Sequence, residues 1–171
     1  MAIGKARALP LTSDAKKFPV IETDADIATG AEFLVGREPC FEKVIAVHGL
    51  PSSRRVENCL ASLLKIVTEQ LISLKAADAI WRRIETRLHT FEPREILKFS
   101  VEDLQSLGLT RAKARSFQAI ANAIHRGELD FDSLHQASDQ DVLTKLLALP
   151  GIGPWTADIY LLTALGRADA C

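Results

Sequence analysis

The chain has 171 residues, of which 47% are hydrophobic and 25% charged, with a formal net charge of −1. That is one globular domain's worth of chain, and no apolar run approaches the ~20 residues of a membrane span. The near-neutral balance argues against nucleic-acid binding through bulk charge; three cysteines without a CxxC pair support no disulfide framework, and four histidines without an i, i+4 pair leave a side-chain-held catalytic metal without ligands. Residues 1–20 read as a flexible segment without an apolar export signal, so a cytoplasmic protein is expected; a monomer is expected as well. Charge is uneven: residues 71–127 carry ten bases and six acids, and residues 128–171 carry two bases and seven acids.

Nearly every segment has helical rather than alternating periodicity. Asp24 or Asp26 opens a helix through Leu34, and Pro39 starts a second that closes at His48-Gly49; these are expected to be two short packing helices. From Val56 to Leu71 a stripe of Leu60, Leu63, Leu64 and Val67 marks a buried helix. Ser73 caps the next, with Ala77, Ile80, Trp81, Ile84 and Leu88 on its inner side. Pro93 starts a short piece, Ser100 with Asp103 forms a capping box, and Gly108 ends that helix. Thr110 caps a helix with Phe117, Ile120, Ala121 and Ile124 facing the core and Gly127 as its stop. Ser138 with Asp141 repeats the box ahead of Val142, Leu146 and Leu147. The expected fold is all-α, with eight to ten short helices. Arg111, Lys113, Arg115 and Arg126 form either a phosphate-facing patch or a solvated helix face.

The segment from Leu149 to Ala157, Leu-Pro-Gly-Ile-Gly-Pro-Trp-Thr-Ala, lies between the Ser138 helix and an apolar helix closed by Gly166. Gly151 and Gly153 allow a tight turn, and Pro154 presets the first helical turn after it. The N–H groups left free at that helix start form an anion site that suits a phosphate and ignores base identity. The same residues also suit a plain helix-to-helix corner with Ile152 plugging the core.

The whole nine-residue string resembles the helix-hairpin-helix of DNA repair glycosylases. Glu69 to Ala77, Glu-Gln-Leu-Ile-Ser-Leu-Lys-Ala-Ala, resembles the Gly-Gln-Gln/Leu-Val-Ser-x-Lys-Ala-Ala signature of those enzymes, and Gly108 to Ala114 resembles their Gly-Leu-Ser-x-x-Lys stretch. The three occur in the family's order. Residues 21–171 are thus similar to the helix-hairpin-helix base-excision DNA glycosylase superfamily, closest to its 3-methyladenine DNA glycosylase II branch, with the hairpin at 149–155.

The resemblance implies binding of duplex DNA containing a damaged base, with the target nucleotide flipped into a pocket. It assigns DNA contact to Gly151, Ile152, Gly153, Gln70 and Leu71, with Leu71 as the wedge that fills the vacated stack. Leu71 equally extends the core stripe Leu60, Leu64, Val67. The family's lyases carry a lysine two positions after the second glycine; here that position is Trp155, so the implied chemistry is monofunctional hydrolysis of an N-glycosidic bond. Trp155 and Tyr160 are implied base-pocket residues for an alkylated purine such as 3-methyladenine, and core packing is the alternative for both. The resemblance also implies an alkali cation, sodium or potassium, on the main-chain carbonyls of Leu147, Leu149 and Ile152, and no residue present supports an iron–sulfur cluster. The family's catalytic aspartate falls beyond Cys171. Neither Asp158 nor Asp169 matches its position, so an incomplete domain lacking the closing helices, and inactive alone, is expected. A non-catalytic DNA-binding hairpin module and an all-α interaction domain are the competing readings.

Overall fold

The structure is a computed structural model that describes residues 20–168 and residue 170. The expected flexible segment lies almost wholly outside the described residues, as do Asp169 and Cys171. Among the described residues there are ten helices: α1 (Asp24–Arg37), α2 (Cys40–His48), α3 (Leu60–Glu69), α4 (Leu74–Arg87), α5 (Pro93–Ile96), α6 (Val101–Ser106), α7 (Arg111–His125), α8 (Phe131–Gln136), α9 (Asp139–Leu147) and α10 (Pro154–Thr163). None is long and apolar enough to cross a membrane.

Cap chemistry accounts for most of the boundaries. Ser73, Ser100, Thr110 and Ser138 each accept a hydrogen bond from the backbone N–H three residues on, satisfying a donor that the first helical turn leaves free. Asp130 does the same for α8, which is only six residues long and therefore shows no periodic stripe in the sequence.

The central element is α3. Leu63, Leu64 and Val67 are fully buried, and α4, α7 and α10 pack around them. Trp81 and Ile84 of α4, Phe117 and Ile120 of α7, and Leu146 of α9 continue the same core. At about 1.5 to 3 kcal/mol per fully buried large apolar side chain, this cluster is the main force holding the bundle.

Four sequence expectations need correction. The third helix begins at Leu60 rather than Val56, because Val56 donates its N–H to the Thr163 carbonyl (3.0 Å) and leaves the helical path. The helix also ends at Glu69, two residues short of Leu71. Helices α1 and α2 bury no residue; they pack on each other, Ser53 N–H bonds to Asp24 Oδ1 (2.7 Å) to tie the segment after α2 to the start of α1, and a strand-like contact before α1, Ile21 N–H to Gly166 O at 2.7 Å, joins them to the body. Leu147, expected in the core, is 44% exposed because α9 ends there and turns into the hairpin.

Candidate nucleic-acid interface

The corner between α9 and α10 is built from its own main chain. Leu149 N–H bonds to Leu146 O (3.0 Å), and Ile152 N–H bonds back to Leu149 O (3.1 Å). Ile152 places its side chain in the core, so it offers the surface neither side chain nor N–H. Gly151 has φ +82, and a Cβ there would meet Ser116 Oγ at 1.9 Å; glycine is needed for both the left-handed conformation and the close approach to α7. Gly153 has an extended conformation with open space where a Cβ would stand. It precedes Pro154 without any side-chain cap, so the main-chain N–H groups of Trp155 and Thr156 have no capping side chain at the positive end of the helix dipole.

Facing this corner is the α3–α4 connection. Gln70 leaves the helix (φ −54, ψ 128), and Leu71 takes φ +56, the one positive φ among the described non-glycine residues. For leucine that conformation costs roughly 1 to 2 kcal/mol. Leu71 is fully exposed at 103%, which removes it from the core stripe. Gln70 ties the two segments together: its side-chain Nε2 donates to Thr156 Oγ1 (2.7 Å) and to Gly151 O (3.1 Å). Behind it, Lys113 Nζ donates to Thr68 O (2.8 Å) and Gln70 O (2.7 Å).

Glu69, Gln70, Leu71, Ile72, Gly151, Gly153, Trp155 and Thr156 line a cleft of about 530 Å³. Trp155 is 53% exposed and is the one aromatic side chain among those lining the cleft. Leu71, Ile72 and Leu74 project beside it as an exposed apolar ridge. Burial pushes the Glu69 carboxyl above its ordinary range, with Lys65 opposing the rise and Asp78 adding to it.

The structure thus assembles Gln70, Leu71, Gly151, Gly153 and Trp155 at one cleft, and it removes Tyr160. Tyr160 is fully buried, packs against Phe131 (ring centroids 6.4 Å apart) and donates its hydroxyl to Asn58 Oδ1, while burial pushes its phenol far above the usual range. The reason is helical geometry: Tyr160 is five residues beyond Trp155, about 140° around α10, and so faces inward. The basic patch also divides. Arg111 and Arg115 are exposed, Arg126 pairs with Glu128 (2.9 Å), and Lys113 is buried.

Residues 64–170 match the profile described as the HhH-GPD superfamily base excision DNA repair protein. The chain belongs to the HhH-GPD superfamily. Among curated HhH-GPD proteins it is 28% identical to a putative DNA-3-methyladenine glycosylase, YfjP, of Bacillus subtilis over 67% of this chain and 42% of that one. It is also 28% identical to DNA-3-methyladenine glycosylase 1 of Schizosaccharomyces pombe, over 63% of this chain and 49% of the relative. The chain therefore spans about half the length of these relatives. The HhH-GPD fold is seen again in the crystal structure of the Bacillus halodurans DNA-3-methyladenine glycosidase, with TM-score 0.68 and 30% identity over 80% of this chain and 64% of that one. The S. pombe 3-methyladenine DNA glycosylase in complex with abasic DNA shares the fold at TM-score 0.75 and 24% identity, over 82% of this chain and 72% of that chain. The all-α architecture and the base-excision repair family expected from the sequence both hold.

Proposed function

We propose that this chain grips duplex DNA at a damaged base and presents that base for monofunctional hydrolysis of its N-glycosidic bond, with alkylated purines such as 3-methyladenine as the substrate class. The observation that carries this reading is Leu71: a fully exposed leucine held in a strained conformation at the mouth of a cleft beside a helix start without a side-chain cap. Exposing a large apolar side chain and straining its backbone both oppose folding, and such features persist where a bound state uses them.

In the complex, Leu71 occupies the space left by the flipped nucleotide and replaces lost stacking with dry contact. The uncapped N–H groups at the start of α10, with those of Gly151 and Gly153, hold a backbone phosphate without reading sequence. Trp155 stacks on the extruded base, and an electron-poor, cationic purine gains most from that π-face. The position of Trp155 offers no amine, so no Schiff base forms with the sugar and the strand stays intact.

An oxocarbenium-like transition state calls for a carboxylate held near the anomeric carbon. Among the described residues lining the cleft, Glu69 is the one carboxylate, and it stands at the end of α3 rather than after α10, where the family's aspartate is expected. The 171-residue chain is accordingly assigned binding and base extrusion as a cytoplasmic monomer, and it is not expected to release base above the buffer rate. An alkali cation fits the hairpin's donor set: Leu149 O accepts the Ile152 N–H, one hydrogen bond for two lone pairs, and carbonyls of Leu147, Leu149 and Ile152 would steady the corner through such an ion.

The test is binding of the 171-residue chain to abasic and intact duplexes of the same sequence, alongside base release from methylated DNA and borohydride trapping. Preference for the abasic duplex without a trapped complex supports the reading. Equal affinity for the two duplexes removes it, and a trapped covalent complex removes the monofunctional chemistry.

A further inference from the structure

We propose that Lys113 is a positioning residue for Leu71, which it holds in the outward, left-handed conformation before DNA arrives. The inference rests on the reading of Leu71 as the residue that fills the gap in the duplex.

Lys113 is an unusual place for a cation. It is the third residue of α7, next to the positive end of its own helix dipole, and only 9% of it is exposed. Burial pushes its ammonium below the ordinary lysine range. Nothing in α7 rewards a charge there; the partners are on another element. Nζ donates to Thr68 O at 2.8 Å and Gln70 O at 2.7 Å, two of the carbonyls that the C-terminus of α3 leaves without helical donors. Both are charge-assisted bonds at the negative end of the α3 dipole, 43 and 45 residues away in sequence.

The Gln70 carbonyl belongs to the planar peptide unit that also contains the nitrogen and Cα of Leu71. Fixing that oxygen fixes the plane from which φ of Leu71 is measured. The Gln70 side chain is anchored separately, on Thr156 Oγ1 and Gly151 O, and Ser73 caps α4 on the far side. Residues 70–73 are therefore held at both ends, with Lys113 as the anchor that acts on the main chain directly before Leu71. A left-handed leucine persists only where its surroundings over-determine it, and a wedge ordered in advance binds without a further ordering penalty.

The experiment compares the ratio of intact-duplex to abasic-duplex Kd for the full 171-residue parent, Lys113→Met, Lys113→Arg, Leu71→Ala and the Lys113→Met/Leu71→Ala double variant, each at matched folded fraction. Expected is a fall in the ratio on the order of tenfold for Lys113→Met, retention in Lys113→Arg, and no further loss when Leu71→Ala is added, because both substitutions act on one device. A folded Lys113→Met with the parental ratio overturns the proposal while leaving the wedge intact if Leu71→Ala still loses it. An unchanged ratio in Leu71→Ala removes the wedge itself. Should Lys113→Met not fold, Lys113→Gln carries the same comparison with a shorter neutral donor; failure of both to fold makes Lys113 a core-stability residue and overturns the proposal.

Discussion

The side-chain amide of Gln70 donates to the hydroxyl of Thr156 at 2.7 Å, joining the end of α3 to the first turn of α10 across 86 residues of sequence. Thr156 is 2% exposed, so the bond is shielded on its hairpin side. It sets the distance between the Leu71 loop and the corner between α9 and α10. Thr156→Val keeps the volume and removes the acceptor; expected are a stability loss of about 1 kcal/mol and weaker abasic-duplex binding, whereas Thr156→Ser retains both. Urea unfolding and a binding titration on the three proteins check this.

The two hairpin glycines are predicted to respond differently. Gly151→Ala puts a Cβ 1.9 Å from Ser116 Oγ at φ +82, so a loss of roughly 1 to 3 kcal/mol is expected, partly recovered by adding Ser116→Ala. Gly153→Ala meets open space and should leave the Tm within a few degrees while weakening DNA binding, since a methyl then stands on the face proposed to receive a phosphate. Thermal melts paired with duplex titrations separate the two.

Leu71 should be cheap to truncate and Leu64 expensive. Being fully exposed, Leu71→Ala is expected to shift stability by no more than about 0.5 kcal/mol, against roughly 2 to 5 kcal/mol for the fully buried Leu64→Ala. Leu71→Gly relieves the positive φ and is expected to match or exceed the parent by up to about 1 kcal/mol. A large loss in Leu71→Ala by chemical denaturation contradicts the exposed placement.

Trp155 and Tyr160 divide function from packing. Trp155→Ala is expected to leave the fold within about 1 kcal/mol and to weaken capture of a flipped base by about 1 to 3 kcal/mol, the usual worth of one base on one aromatic ring. Tyr160→Phe strips Asn58 Oδ1 of its donor inside the protein and should cost roughly 1 to 3 kcal/mol of stability with DNA affinity unchanged once the protein is folded. Binding of a duplex with an unpaired methylated purine, measured for both variants, distinguishes these roles.

Glu69 reverses the usual pH dependence of a carboxylate. Because burial raises its pKa in the folded chain, the folded state holds the proton more tightly than the unfolded state. The charged form therefore opposes folding above the raised pKa, and that opposition disappears as pH falls through it toward the ordinary value of 4.5. Glu69→Gln should raise the urea midpoint at neutral pH, with the difference from the parent closing in acid. An equal difference at both pH values contradicts the assignment.

Much of this molecule is local in origin and hence visible in the chain. Ser73, Ser100, Thr110 and Ser138 announce their helices because a cap bond spans three residues and needs no tertiary partner. Gly151, Ile152 and Gly153 likewise define a corner between two helices, and the ordered motifs at 69–77, 108–114 and 149–157 place the chain in its repair superfamily. The Leu60, Leu63, Leu64 and Val67 stripe identifies the buried face of α3 by periodicity alone.

The tertiary structure alone decided which residues face the cleft. Leu71 continues the α3 stripe by spacing, yet α3 ends at Glu69, and the bonds from Gln70 to Lys113, Thr156 and Gly151 turn the chain outward before that stripe reaches it. Tyr160 shares a helix with Trp155 and faces the opposite way, a matter of which side of α10 meets the core. Lys113 stands four residues before Phe117 on the buried side of α7, a spacing that carries the signal of burial. Its charge hid that signal, because a buried ammonium is tolerable only where free carbonyls await it. Those carbonyls, at Thr68 and Gln70, come from a helix more than forty residues upstream, and no local pattern records where one helix end will dock against another.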